Sequence, residues 1–138
     1  MEVFFYGLFM DQEILERNGI QPTNPRKAHL DDYTLKIGNR ASLVPSLGKR
    51  AYGVVMSVDQ AAIDRLYAEA SVADYIPETV KVITSKRQTV MATCYNLPMN
   101  LLTGTNTKYA TSLLQLAQKL SFPADYLETI KDMTGDQV

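Results

Sequence analysis

One histidine, one cysteine and a scatter of carboxylates are what this 138-residue chain offers for chemistry. Cys94 stands in Ala92-Thr93-Cys94-Tyr95 with no cation beside it to lower its thiol pKa. No Cys-His pairing and no Gly-x-Ser-x-Gly elbow is present, so covalent catalysis finds no nucleophile. His29 has no Cys or His at ligand spacing, and the adjacent Asp31 and Asp32 project to opposite faces of an extended segment, which argues against a metal centre. The glycine spacings of phosphate loops and dinucleotide folds are absent too, so no cofactor is expected. Two features remain. Gly7 follows the aromatic run Val3-Phe4-Phe5-Tyr6, and Glu69 lies near a helix end, off the apolar stripe. Taken alone, such residues are ordinarily a turn glycine and a solvated surface charge.

The elements that position them can be read from pattern. Val3 to Tyr6 reads as a buried strand that stops at Gly7, and Asp11 can cap a short helix reaching Asn18, with Gly19 at its stop. The stretch from Ala28 to Ile37 reads as an irregular strand. A short strand at Ser42-Leu43-Val44 follows, set between polar turns at Gly38-Asn39 and Gly48-Lys49. Residues 51–58 form a nearly continuous apolar run, as a central strand covered on both faces would. Asp59 caps a helix with Ile63, Leu66, Tyr67 and Ala70 in helical spacing, ending between Glu69 and Ser71. Thr79–Ile83 and Thr89–Tyr95 alternate across the charged bend Ser85-Lys86-Arg87 and predict an antiparallel hairpin. Tyr109, Leu113, Leu116, Ala117 and Leu120 then mark an amphipathic helix, and Pro123 suits the first turn of a final helix bearing Leu127 and Ile130. This order of elements points to an α+β fold.

Bulk properties narrow the partners. Fourteen basic against fifteen acidic residues leave a formal charge of -1, so no basic field exists to hold nucleic acid or an anionic membrane surface. A chain of this length suggests one domain spanning residues 1–138. The lone cysteine and the absence of a basic leader or a spanning apolar run suggest a reducing, cytoplasmic setting.

Four blocks, in order along the chain, resemble the γ-glutamylcyclotransferase-like superfamily, which includes the avirulence-induced-gene-like proteins. The first is Phe5-Tyr6-Gly7-Leu8-Phe9-Met10, similar to that family's opening strand and Tyr-Gly loop. The second runs from Ser42-Leu43-Val44-Pro45-Ser46 to Ala51-Tyr52-Gly53-Val54-Val55-Met56. The third runs from Ile63 through Leu66 and Glu69 to Tyr75, and the fourth from Lys108-Tyr109 to Phe122-Pro123-Ala124-Asp125-Tyr126 and Leu127. The resemblance implies a small mixed β-barrel or sheet flanked by helices. It also implies release of 5-oxoproline from a small γ-glutamyl amine or γ-glutamyl amino acid.

By that resemblance the loop from Tyr6 through Gly7 and Leu8 to Phe9 holds the γ-glutamyl group. Glu69 serves as general acid/base, and Tyr75 and Tyr95 are pocket walls. On physical grounds, cyclotransfer needs no protein nucleophile, because the substrate's own α-amine attacks its γ-carbonyl. It needs a carboxylate that takes the ammonium proton and returns it to the leaving nitrogen, for which partial burial is an aid, and donors for the oxyanion. The amides of Gly7, Leu8 and Phe9, if convergent, supply such donors through the main chain. Two departures from the family stand out: Leu8-Phe9 replaces its usual polar pair, and Ala70 replaces the glycine after the glutamate. A φ above zero at position 70 would strain an alanine. The alternative is a catalytically silent member that serves as a small-molecule binding or interaction module. A buried Glu69 facing a cavity beside the Gly7 loop favours the enzyme, whereas a solvent-facing Glu69 or a loop plugged by Phe9 favours the module.

Overall fold

Aromatic and β-branched residues begin the chain, and they begin its core. In a computed structural model that describes residues 1–135, strand β1 (Glu2–Phe5) buries Val3, Phe4 and Phe5 almost completely. The long strands β2 (Thr23–Ile37) and β3 (Ala41–Ser57) form an antiparallel hairpin, and β3 also pairs antiparallel with β1, Val3 facing Met56 and Phe5 facing Val54. Strands β4 (Ile76–Thr84) and β5 (Thr89–Asn96) make a second hairpin. Ala28 and His29 of β2 join it to β4, and a parallel pairing of Val3 with Thr93 joins β5 to β1. The five strands thus close in the order β1-β3-β2-β4-β5, and closure leaves no strand without a neighbour on either side. The architecture is a mixed α+β fold, a small barrel flanked by helices.

The apolar run at residues 51–58 is the shared strand of this barrel. Val54, Val55 and Met56 are all buried, as two covered faces require. The turn expected at Gly48-Lys49 is instead an irregularity within β3. Asp31 pairs with Arg50 and Tyr33 with Pro45, so the register shifts there. Asp32 takes a left-handed φ of 65° and accepts a hydrogen bond from the Gly48 amide at 2.9 Å, with Gly48 itself at φ 81°. A glycine and an Asp in left-handed conformations let the ladder absorb the extra residues without ending. The expected separate strand at Ser42–Val44 is therefore the first part of one 17-residue strand. Strand β2 likewise starts at Thr23, ahead of Ala28, with Pro25 accommodated in a second register shift between Thr23 and Arg26.

The helices lie outside the barrel. Asp11 caps α1 (Gln12–Arg17) through the Glu13 amide at 2.9 Å, and Asp59 caps α2 (Gln60–Tyr67) through the Ala62 amide at 3.3 Å. Helix α2 buries Ala62, Ile63 and Leu66. Helix α3 (Thr107–Lys119) buries Ala110, Leu113 and Ala117, and α4 (Ala124–Lys131) buries Tyr126 and Ile130, with Pro123 at its N-cap. Helix α4 docks on β3 through Tyr52, whose ring meets those of Tyr126 and Phe122 at 4.9 and 5.9 Å. Among the described residues no helix is long and apolar enough to cross a membrane.

Candidate active site

Where β1 ends, the chain makes a short 3-10 turn (Leu8–Met10) before α1, held by the Met10 amide on the Gly7 carbonyl at 3.0 Å. This turn faces the C-terminal end of α2 across a cavity of about 290 Å³. Tyr6, Gly7, Leu8, Phe9, Tyr75 and Tyr95 all line it, so the structure brings together six of the seven residues singled out from the sequence.

Aromatic packing builds the walls. Tyr67, at the end of α2, stacks on Tyr95 of β5 with ring centroids 3.9 Å apart and planes 9° from parallel. Phe9 meets Tyr67 edge-on at 6.3 Å and also meets Phe5 at 6.3 Å, so its ring belongs to the wall. Two of the hydroxyls are engaged: Tyr6 donates to the Tyr95 carbonyl at 2.6 Å and Tyr75 to the Ala41 carbonyl at 2.6 Å. Burial pushes the phenols of Tyr6, Tyr67, Tyr75 and Tyr109 up from their ordinary value. They are therefore neutral near pH 7 and act as hydrogen-bonding groups, not as bases.

Gly7 is needed for space. Its φ of -110° suits any residue, but a Cβ there would collide with the Tyr109 hydroxyl. That hydroxyl accepts the Leu8 amide at 3.2 Å, so α3 reaches across and occupies one of the three loop donors.

Glu69 stands apart. Its side chain is exposed and is not among the cavity-lining residues, although its neighbours Tyr67, Ser71 and Val72 are. It sits in a turn after α2, its amide donating to the Leu66 carbonyl at 3.2 Å and its carbonyl accepting the Val72 amide at 3.0 Å. The partial burial considered for an acid/base carboxylate is thus not found in this arrangement. Ala70 is not among the residues with positive φ, so the alanine is unstrained and the turn follows a course that does not require glycine.

Sequence reasoning missed Arg40 and Tyr109. Arg40 lines the cavity with its guanidinium 5.9 Å from the Tyr75 ring centroid and an ion pair to Asp74 at 3.1 Å. No motif flagged it, because it reads as part of a polar turn, and only the strand pairing carries it to the cavity. Tyr109 fell on the amphipathic stripe of α3 and read as core. Cys94 is fully buried, and burial pushes its thiol well up, away from reactivity. Among the described residues no group of three or more His, Cys, Asp or Glu is placed to hold a metal ion.

A closed five-stranded barrel flanked by helices is a fold this chain shares with solved γ-glutamyl cyclotransferases. The AIG2-like family matches this chain over residues 50–130, and the chain belongs to that family. A solved γ-glutamyl cyclotransferase superposes with a TM-score of 0.77 at 20% identity, covering 100% of this chain and 90% of that one. An uncharacterised human protein superposes with a TM-score of 0.78 at 21% identity, covering 99% and 90%. The yeast γ-glutamyl cyclotransferase specific to glutathione superposes at 0.68 with 12% identity, covering 97% and 95%. No curated protein sequence matches.

Proposed function

We propose that the cavity takes a small γ-glutamyl compound and that the chain is a cyclotransferase-type protein releasing 5-oxoproline. The observation that carries this reading is the meeting of the Gly7 to Phe9 turn with the end of α2 around one aromatic-walled cleft, in a chain of this family. In the reaction the α-amine of the bound glutamyl group attacks its own γ-carbonyl. The new C–N bond closes the five-membered ring, the old amide C–N bond breaks, and the leaving nitrogen takes the proton that the attacking amine gave up. Glu69 is the group proposed to carry that proton, and main-chain amides of the turn are the proposed donors to the developing oxyanion. For Glu69 to act, the turn after α2 has to carry its carboxylate inward. The turn is short, and both Tyr67 before Glu69 and Ser71 after it already line the cavity.

A second reading is favoured by two observations. The exposed Glu69 and the Leu8 amide held by Tyr109 both suit a catalytically silent module that binds a small molecule without turning it over. One experiment separates the two: 5-oxoproline release from a panel of γ-glutamyl amino acids, γ-glutamyl amines and glutathione, with the natural protein and Glu69→Gln. Release by the natural protein that vanishes in a folded, ligand-binding variant supports the enzyme. Absence of release with binding retained supports the module.

A further inference from the structure

Among the described residues, Arg40 is the only lysine or arginine lining the cavity, and no aspartate or glutamate lines it. The hairpin tip that carries Arg40 is pinned. The Asn39 amide donates to the Thr103 carbonyl at 2.7 Å, Asn106 Nδ2 donates to the Asn39 carbonyl at 3.1 Å, and a Cβ at Gly38 would lie 2.6 Å from the Thr103 oxygen. The Tyr75 ring beside the guanidinium is fixed by its own hydroxyl on Ala41. Ring contacts then run in order from Arg40 to Tyr75, from Tyr75 to Tyr67 at 6.1 Å, and from Tyr67 to Phe9 at 6.3 Å. Arg40 therefore stands at the far end of this row from the Gly7 to Phe9 turn. Its present partner is weakly held: a single contact to Asp74, whose side chain is 54% exposed. An exposed one-point pair of this kind contributes little, whereas a carboxylate meeting the guanidinium fork against apolar walls gains two charge-assisted bonds in a poorly solvated setting.

We propose that Arg40 is the carboxylate anchor of this cavity, with Asp74 as the side chain that an incoming acid displaces. The inference rests on the proposed function above and narrows it. With the glutamyl group at the Gly7 turn, the anchored acid is that of the leaving half. The preferred ligands are then γ-glutamyl amino acids with apolar side chains, chosen over γ-glutamyl amines.

The test is calorimetric binding of γ-glutamyl-phenylalanine and of its C-terminal amide to the natural protein, Arg40→Met and Asp74→Asn. The acid should bind about tenfold or more tightly than the amide, as expected for a hydrogen-bonded charge pair. Arg40→Met should erase that preference, the acid losing far more affinity than the amide, and Asp74→Asn should tighten the acid about two- to fivefold by freeing the guanidinium. A gain of affinity in Asp74→Asn is a result that loss of folding does not mimic. Equal binding of acid and amide by the natural protein, or a preference that survives Arg40→Met, overturns the anchor and leaves the cavity reading standing. Failure of both compounds to bind overturns the cavity reading and this inference with it.

Discussion

Gly7→Ala is a sharp probe of how the candidate site is built, because the structure predicts the sign of its effect in two backgrounds. At φ -110° an alanine is conformationally welcome. By restricting the unfolded chain, such a change stabilises by about 0.4–1 kcal/mol where there is room. There is no room: the new Cβ would meet the Tyr109 hydroxyl, and moving either group breaks the Leu8 amide to Tyr109 hydrogen bond. Overpacking costs about 1–3 kcal/mol and the lost bond about 1 kcal/mol, so the single variant should lose roughly 2 kcal/mol net. Tyr109→Phe alone removes only the hydrogen bond and should cost about 1 kcal/mol. In the double variant the nearest atom that remains of those flagged is ring Cζ at 3.7 Å, an ordinary contact, and the alanine should then be neutral or stabilising. The assay is equilibrium urea unfolding of all four proteins. At a typical denaturant slope, 2 kcal/mol moves the midpoint by about 1 M. An alanine that costs the same with and without the Tyr109 hydroxyl, or nothing in either, would refute this account of why glycine stands at position 7.

Other consequences are as specific. Leu113→Ala, in the buried face of α3, should cost about 2–5 kcal/mol in the same unfolding assay. Asp59→Ala removes the cap on the Ala62 amide at the start of α2 and should cost about 1 kcal/mol in the same assay. The buried phenols of Tyr67, Tyr75 and Tyr126 have folded pKa values raised above the ordinary 10.0, chiefly by burial. The folded state therefore holds their protons more tightly than the unfolded chain. Their contribution to stability is complete below pH 10 and is lost as pH rises above it, which unfolding at stepped alkaline pH with absorbance at the phenolate band will follow.

Much of the fold was legible because local signals and packing agree. The aromatic run before Gly7, the apolar run at 51–58, the caps at Asp11 and Asp59 and the Thr79–Tyr95 hairpin all carry their own periodicity or turn chemistry. The course of β3 was not legible. Gly48 is a turn signal by type, and only pairing with β2, with Asp32 in a left-handed conformation against it, turns that signal into a bulge. At the site, the turn residues and Tyr75 and Tyr95 were found through their place in recognisable blocks. Arg40 was not, since its role comes from a hairpin tip pinned to residues 103–106, more than sixty positions away. Glu69 shows the opposite limit: the resemblance singled it out for its place after the helix, yet the direction of its side chain is set by a turn whose path no motif encodes.

The central claim is that the space between the Gly7 turn and the end of α2 is where this protein meets its small molecule. The most direct test is to titrate the labelled protein with 5-oxoproline, the proposed product, and follow each backbone amide by NMR. The account predicts saturable shifts concentrated at Gly7, Leu8, Phe9, Ser71 and Val72. Shifts confined to the polar groove beside Asp31, Arg50 and Asp125 on another part of the surface, or none at any concentration, would contradict it.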